Sequence, residues 1–156
     1  GRGPDDLALG LQLLCDHLAP FSLALEPRSD WGFVSLRPRH QPPELLALES
    51  SLVPRLDEFR APLTAQEYDR RRPEALPAQA RKHLDHWGYP FVLELFHYHL
   101  TLSGPLPPAG AEALCEALRP ALAPLIAVPQ PVTSVALMGE DAAGFFHLIE
   151  DVPLRG

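Results

Sequence analysis

The sequence reads as an α+β chain, and three observations carry that reading. Apolar residues recur at helical spacing in several stretches, and they alternate in short runs between those stretches. Glycine or proline stands at nearly every junction. The order of the patterns also repeats, with a helix followed by two strands in each half of the chain.

The elements follow in order. Residues 5–18 form a helical pattern on Leu7, Leu11, Leu14 and Leu18, with Asp5 and Asp6 suited to its positive end and Pro20 stopping it. Phe21–Glu26 and Trp31–Arg37 read as strands around a turn at Pro27–Asp30. Leu45, Leu48, Leu52 and Leu56 mark a second helix over Pro43–Phe59, kinked at Pro54. Residues 60–88 are a charged, irregular insert that includes Arg70-Arg71-Arg72 and a short helix over Ala78–Trp87, which Gly88 is placed to cap. A long strand over Phe91–Ser103 comes next. After Gly104 a helix over 110–123 aligns Leu114, Leu118 and Leu122, and strands follow at Val132–Met138 and Gly144–Glu150.

Leu14-Cys15-Asp16-His17-Leu18 with Pro20 parallels Leu114-Cys115-Glu116-Ala117-Leu118 with Pro120. Gly32-Phe33-Val34-Ser35-Leu36 parallels Gly144-Phe145-Phe146-His147-Leu148. In the second half the helix is preceded by the histidine-bearing strand. If the halves are duplicates, a matching strand with its own histidine and hydroxyl is expected ahead of Gly1.

With 156 residues, 46% apolar and 21% charged, the chain has enough material for one domain or two small lobes. Its formal net charge of -7 argues against non-specific binding to nucleic acid or an anionic membrane. No apolar run approaches the roughly 20 residues of a spanning helix, and no signal-peptide pattern is present, so the cytoplasm is the expected location. Cys15 and Cys115 sit in helical apolar patterns and read as buried, reduced thiols.

Chemistry concentrates in Phe96-His97-Tyr98-His99-Leu100-Thr101-Leu102-Ser103. In a strand, residues two apart share a face. His97, His99, Thr101 and Ser103 are therefore expected on one side, with Phe96, Tyr98, Leu100 and Leu102 directed to the core. An imidazole titrates near neutral pH and moves protons, and a threonine hydroxyl donates to a phosphoryl oxygen. A second reading of the same residues is a zinc site. It would combine His83 and His86, at helical spacing, with His97, His99 and a carboxylate such as Glu94 or Asp85. His83 and His86 otherwise read as lying on an exposed helix face, and His147 as facing solvent or the far side of a cleft.

Trp87-Gly88-Tyr89-Pro90-Phe91-Val92, followed by the histidine strand and Gly104-Pro105-Leu106, resembles a signature of a bacterial family encoded in phosphonate-utilisation operons. Phe59-Arg60-Ala61-Pro62-Leu63-Thr64 with Arg70-Arg71-Arg72-Pro73 is similar to that family's middle segment. The family belongs to the two-histidine (2H) phosphoesterases, which share a fold with RNA ligase-like cyclic phosphodiesterases.

The resemblance implies a two-lobed α+β fold with pseudo-two-fold symmetry, mostly antiparallel sheets and two His-x-Thr/Ser motifs. The lobes would be 1–58 and 91–156, joined by the insert at 59–90. His99 and Thr101 match the second motif as the catalytic pair. The first motif has no counterpart here, since Leu18-Ala19 follow His17 and Gln41-Pro42 follow His40. The expected activity is metal-independent hydrolysis of a small cyclic or bridged phosphodiester, with no cofactor and a small phosphorylated substrate. No nucleic-acid partner beyond a nucleotide is expected. Arg60, His97 and Tyr89 are the expected substrate contacts. A non-catalytic module that binds a phosphorylated ligand is the alternative, and the zinc hydrolase is the second.

Overall fold

A computed structural model describes residues 3–156. The architecture is mixed α+β, with five α-helices and small antiparallel sheets among the described residues. In chain order these are α1 (Pro4–Cys15), β1 (Phe21–Leu23), β2 (Leu25–Arg28), β3 (Ser35–Pro38), α2 (Pro43–Leu56), α3 (Ala65–Arg70), α4 (Ala78–Trp87), β4 (Leu100–Thr101), α5 (Pro108–Leu122), β5 (Gln130–Val132), β6 (Ser134–Glu140) and β7 (Phe146–Pro153). No helix among the described residues is long and apolar enough to cross a membrane.

The chain folds as two units, each assembled from separated segments. Among the described residues, one comprises 3–20, 43–97 and 133–156; the other comprises 21–42 and 98–132.

In the first unit, α1 packs on α2 and on the antiparallel β6–β7 ribbon. Leu11, Leu14 and Cys15 of α1 are buried, as are Leu45 and Leu48 of α2 and Val152 of β7. The last residues close back onto α1, where the N–H of Arg155 donates to the Cys15 carbonyl and that of Gly156 to the Leu18 carbonyl. The insert is more ordered than its composition indicates. Thr64 caps α3 reciprocally with Glu67, and α4 ends on Gly88 at φ 74°. The α4 face carrying Ala80, His83 and Leu84 is buried, so His83 points inward and not, as expected, to an exposed face.

In the second unit, β1 pairs with β5, and β2, β3 and β4 form a three-stranded antiparallel sheet in that order. Helix α5 packs against β2, burying Ala111 and Cys115.

The expected strand over Phe91–Ser103 is the main departure. Leu93–Leu95 form a 3₁₀ turn, and only Leu100–Thr101 pair in a ladder. Side chains supply the hydrogen bonds that a ladder would otherwise make. The Leu93 N–H, at φ 55°, donates to Glu49 Oε1, and the Tyr98 N–H donates to Gln41 Oε1. Leu100 and Leu102 were expected in the core but are 42% and 40% exposed. β4 is an outer strand, and among the described residues nothing pairs with its far edge.

Candidate functional site

The sheet of the second unit places His99 and Thr101. Antiparallel pairing puts Thr101 opposite Ser35 and Leu100 opposite Leu36, and directly paired residues share a face. On β2 the same pairing sets Arg28 opposite Ser35 and Glu26 opposite Arg37. Thr101, Ser35, Arg37, Arg28 and Glu26 therefore form one polar face, while Leu25, Leu36 and Leu100 lie on the other.

His99 stands exposed at the entrance to β4. The Trp31 ring meets it edge to face at 5.5 Å, and the Phe33 ring lies 6.0 Å away. Trp31 is itself clamped, with the Arg37 guanidinium stacked 3.5 Å above its ring centre. Arg37 is only 8% exposed. Its Nε donates to the buried Ser35 hydroxyl at 2.9 Å, and its far nitrogen sits 2.7 Å from Asp30 Oδ1. That contact has ion-pair distance without hydrogen-bond alignment. Burial pushes the Asp30 carboxyl up, but Arg37, a backbone N–H hydrogen bond and then Arg28 outweigh it and hold the group below its ordinary range. At the end of the strand, the Val34 N–H donates to Ser103 Oγ at 2.9 Å.

The arrangement runs from a fixed ion pair, through a stacked indole, to an exposed imidazole with a hydroxyl two residues on. A planar guanidinium suits this clamp because it stacks and hydrogen-bonds simultaneously. Trp31, Phe33, Ser35 and Arg37 are additions that the sequence reading did not single out. Their signal was present, since the four occupy alternate positions of a stretch already read as a strand.

The remaining candidates belong to the first unit. Arg60 Nε donates to Asp57 Oδ1 at 2.7 Å, and a terminal nitrogen donates to the His86 carbonyl at 2.9 Å. It thus holds the last turn of α4, where a cation complements the helix dipole. Arg60 also lines a cleft of about 420 Å³ with Asp57, Pro62, Leu63, Tyr68, Leu84 and Asp85, in which Tyr68 Oη donates to Asp85 at 2.7 Å. Tyr89 lies beneath the Arg71 guanidinium at 4.8 Å and edge-on to Phe91. His97 is exposed.

The residues of the zinc reading are engaged otherwise or dispersed. His83 Nε2 lies 2.9 Å from Glu94 Oε1 and 3.0 Å from Gln79 Nε2, and its hydrogen bond holds Glu94 below the ordinary carboxylate range. No three His, Cys, Asp or Glu side chains converge on a metal-sized point among the described residues. His147 is exposed and paired with Asp141 at 2.8 Å.

Comparison with known proteins adds context. A curated protein of Janthinobacterium sp. (strain Marseille), named ribose 1,5-bisphosphate phosphokinase PhnN, is 30% identical over 116 residues, which is 72% of this chain and 26% of that protein. A protein of the same name from Laribacter hongkongensis (strain HLHK9) is 30% identical over 134 residues, 86% of this chain and 30% of its own length. The chain thus spans between a quarter and a third of these relatives. No solved structure gives a significant match. The family profile described as protein of unknown function (DUF1045) matches residues 1–147, and the chain belongs to that family.

Proposed function

We propose that this chain contributes one wall of a metal-independent phosphoesterase site of the two-histidine kind, acting on a small cyclic or bridged phosphodiester in phosphonate metabolism. The observation that carries this reading is the exposed His99 imidazole, gripped by Trp31 and Phe33, with the exposed Thr101 hydroxyl two residues along. The relatives' names support a phosphorylated pentose as the substrate class. The matched segment contains no G-x-x-x-x-G-K-[ST] phosphate loop, so in this reading it performs a different step from the phosphokinase reaction that they name.

Hydrolysis needs a base to take a proton from water as its oxygen bonds to phosphorus. It also needs an acid to protonate the alkoxide released when the ester P–O bond breaks. His99 takes one of these roles, and Thr101 donates its hydroxyl to a non-bridging phosphoryl oxygen. The complementary histidine comes from a second motif outside these 156 residues.

The test is turnover of a ribose cyclic phosphodiester by the full natural polypeptide in the presence of a chelator. His99→Ala is expected to lower kcat by about 10²–10⁴, and Thr101→Ala to lower it less. Undiminished turnover in His99→Ala refutes the proposal. Ligand binding without turnover returns the chain to the binding-module reading, and activity that requires added zinc returns it to the metallohydrolase.

A further inference from the structure

The β6–β7 ribbon has only two strands, and among the described residues neither outer edge is paired. A lone hairpin is marginal in water, and an open edge is a template for another strand. The Asp141 N–H donates to the Phe145 carbonyl at 3.0 Å, and bonded and non-bonded pairs alternate from there. Glu140–Phe146 and Met138–Leu148 fall on non-bonded positions. The backbone N–H and C=O groups of Phe146 and Leu148 therefore face outward.

Strand β3 shows the same arrangement with its edge filled. The Leu102 N–H donates to the Val34 carbonyl at 2.8 Å, and Leu36 pairs with Leu100 two residues on. The backbone of Val34 and Leu36 thus faces β4. These two residues occupy the positions of Phe146 and Leu148 in the repeated segment, whose leading glycines, Gly32 and Gly144, have φ of 77° and 85°. Their side chains differ sharply in exposure. Val34 and Leu36 are 0% and 8% exposed, whereas Phe146 and Leu148 are 66% and 60% exposed. Such an apolar cluster beside an open edge marks a covered surface.

We propose that the outer edge of β7 receives an extended strand from the polypeptide outside these 156 residues. The strand would lie antiparallel, bonded to Phe146 and Leu148 in the register that β4 uses on β3. The occupant is argued from the repeat, which supplies a strand at the equivalent edge, and from the relatives, which carry more than twice the matched length in addition to the segment shared with this chain. The inference involves no substrate, so it stands or falls separately from the phosphoesterase reading.

Amide hydrogen exchange of Phe146 and Leu148 tests it, measured in the 156-residue chain and in the full natural polypeptide. Exchange is expected to slow by about tenfold or more in the full polypeptide, where edge amides gain partners. The amides of Gly139 and His147, already inside the ribbon, gain less. Equal exchange in both proteins overturns the proposal. Protection in the 156-residue chain that rises with its concentration also overturns it, because the occupant is then a second copy. A companion variant, Leu148→Lys, is expected to leave the melting temperature of the shorter chain unchanged and to lower that of the full polypeptide by several degrees. An equal effect in both refutes the docked strand.

Discussion

Replacing Arg37 with alanine probes the clamp behind His99 most directly, and the structure sets the size of the effect. The substitution removes a guanidinium stacked 3.5 Å over Trp31, an interaction that contributes about 0.5–2 kcal/mol depending on desolvation. It leaves the fully buried Ser35 hydroxyl without its Arg37 donor, at about 1–3 kcal/mol. The Asp30 pair adds less, at most about 1 kcal/mol, because that carboxylate is half in solvent. Terms this close together do not add fully, so the expected loss is about 2–4 kcal/mol. For a chain of this length that corresponds to a melting point lower by about 5–15 °C.

Urea denaturation of Arg37→Ala, with Arg37→Lys alongside, measures this loss. Lysine keeps the charge but not the planar stack, so it is expected to recover only part of the stability. The pH dependence is a further check. Asp30 is held below its ordinary value, so its contribution is present above the unfolded aspartate pKa of about 3.9 and disappears as pH falls through the folded value. The gap between wild type and Arg37→Ala should narrow in acid by that part alone. A loss below about 0.5 kcal/mol at neutral pH would show that Arg37 clamps nothing.

Three further outcomes are expected. Gly88→Ala puts a methyl group 3.0 Å from Arg60 at φ 74°, and calorimetry should show a loss of about 1 kcal/mol or more. Leu84→Ala empties a position only 1% exposed and should cost about 2–5 kcal/mol in denaturant melts. His83→Ala should raise the Glu94 pKa toward its ordinary value, read from the carboxyl carbon in an NMR titration. In the native chain the stabilising part of that pair is expected above the unfolded glutamate pKa and lost as pH falls through the depressed one.

Helices were the most legible part of the sequence because their stripes are long. Leu7, Leu11 and Leu14 place α1, and Leu45 and Leu48 place α2. The histidine stretch was overread as one strand because alternation records which side chains are apolar, not where backbone hydrogen bonds go. Glu49 and Gln41 are remote in sequence, and nothing local announces that they satisfy Leu93 and Tyr98. The same limit hid the clamp. Trp31 and Arg37 alternate as strand residues do, but their stacking on each other and against His99 depends on the turn at Gly32 and on β4 pairing with β3.

The pairing of β1 with β5 has a consequence for synthesis. Phe21 meets Val132, more than a hundred positions later in the chain, and the final residues return to the end of α1. Contacts of such long range slow folding. A ribosome would have to release the segment through Val132 before β1 could pair with β5, and α1, which can meet α2 early, gains its cover from β6 and β7 only later. A chain cut ahead of β6 therefore leaves uncovered the face of α1 that packs on the β6–β7 ribbon, and is expected to aggregate.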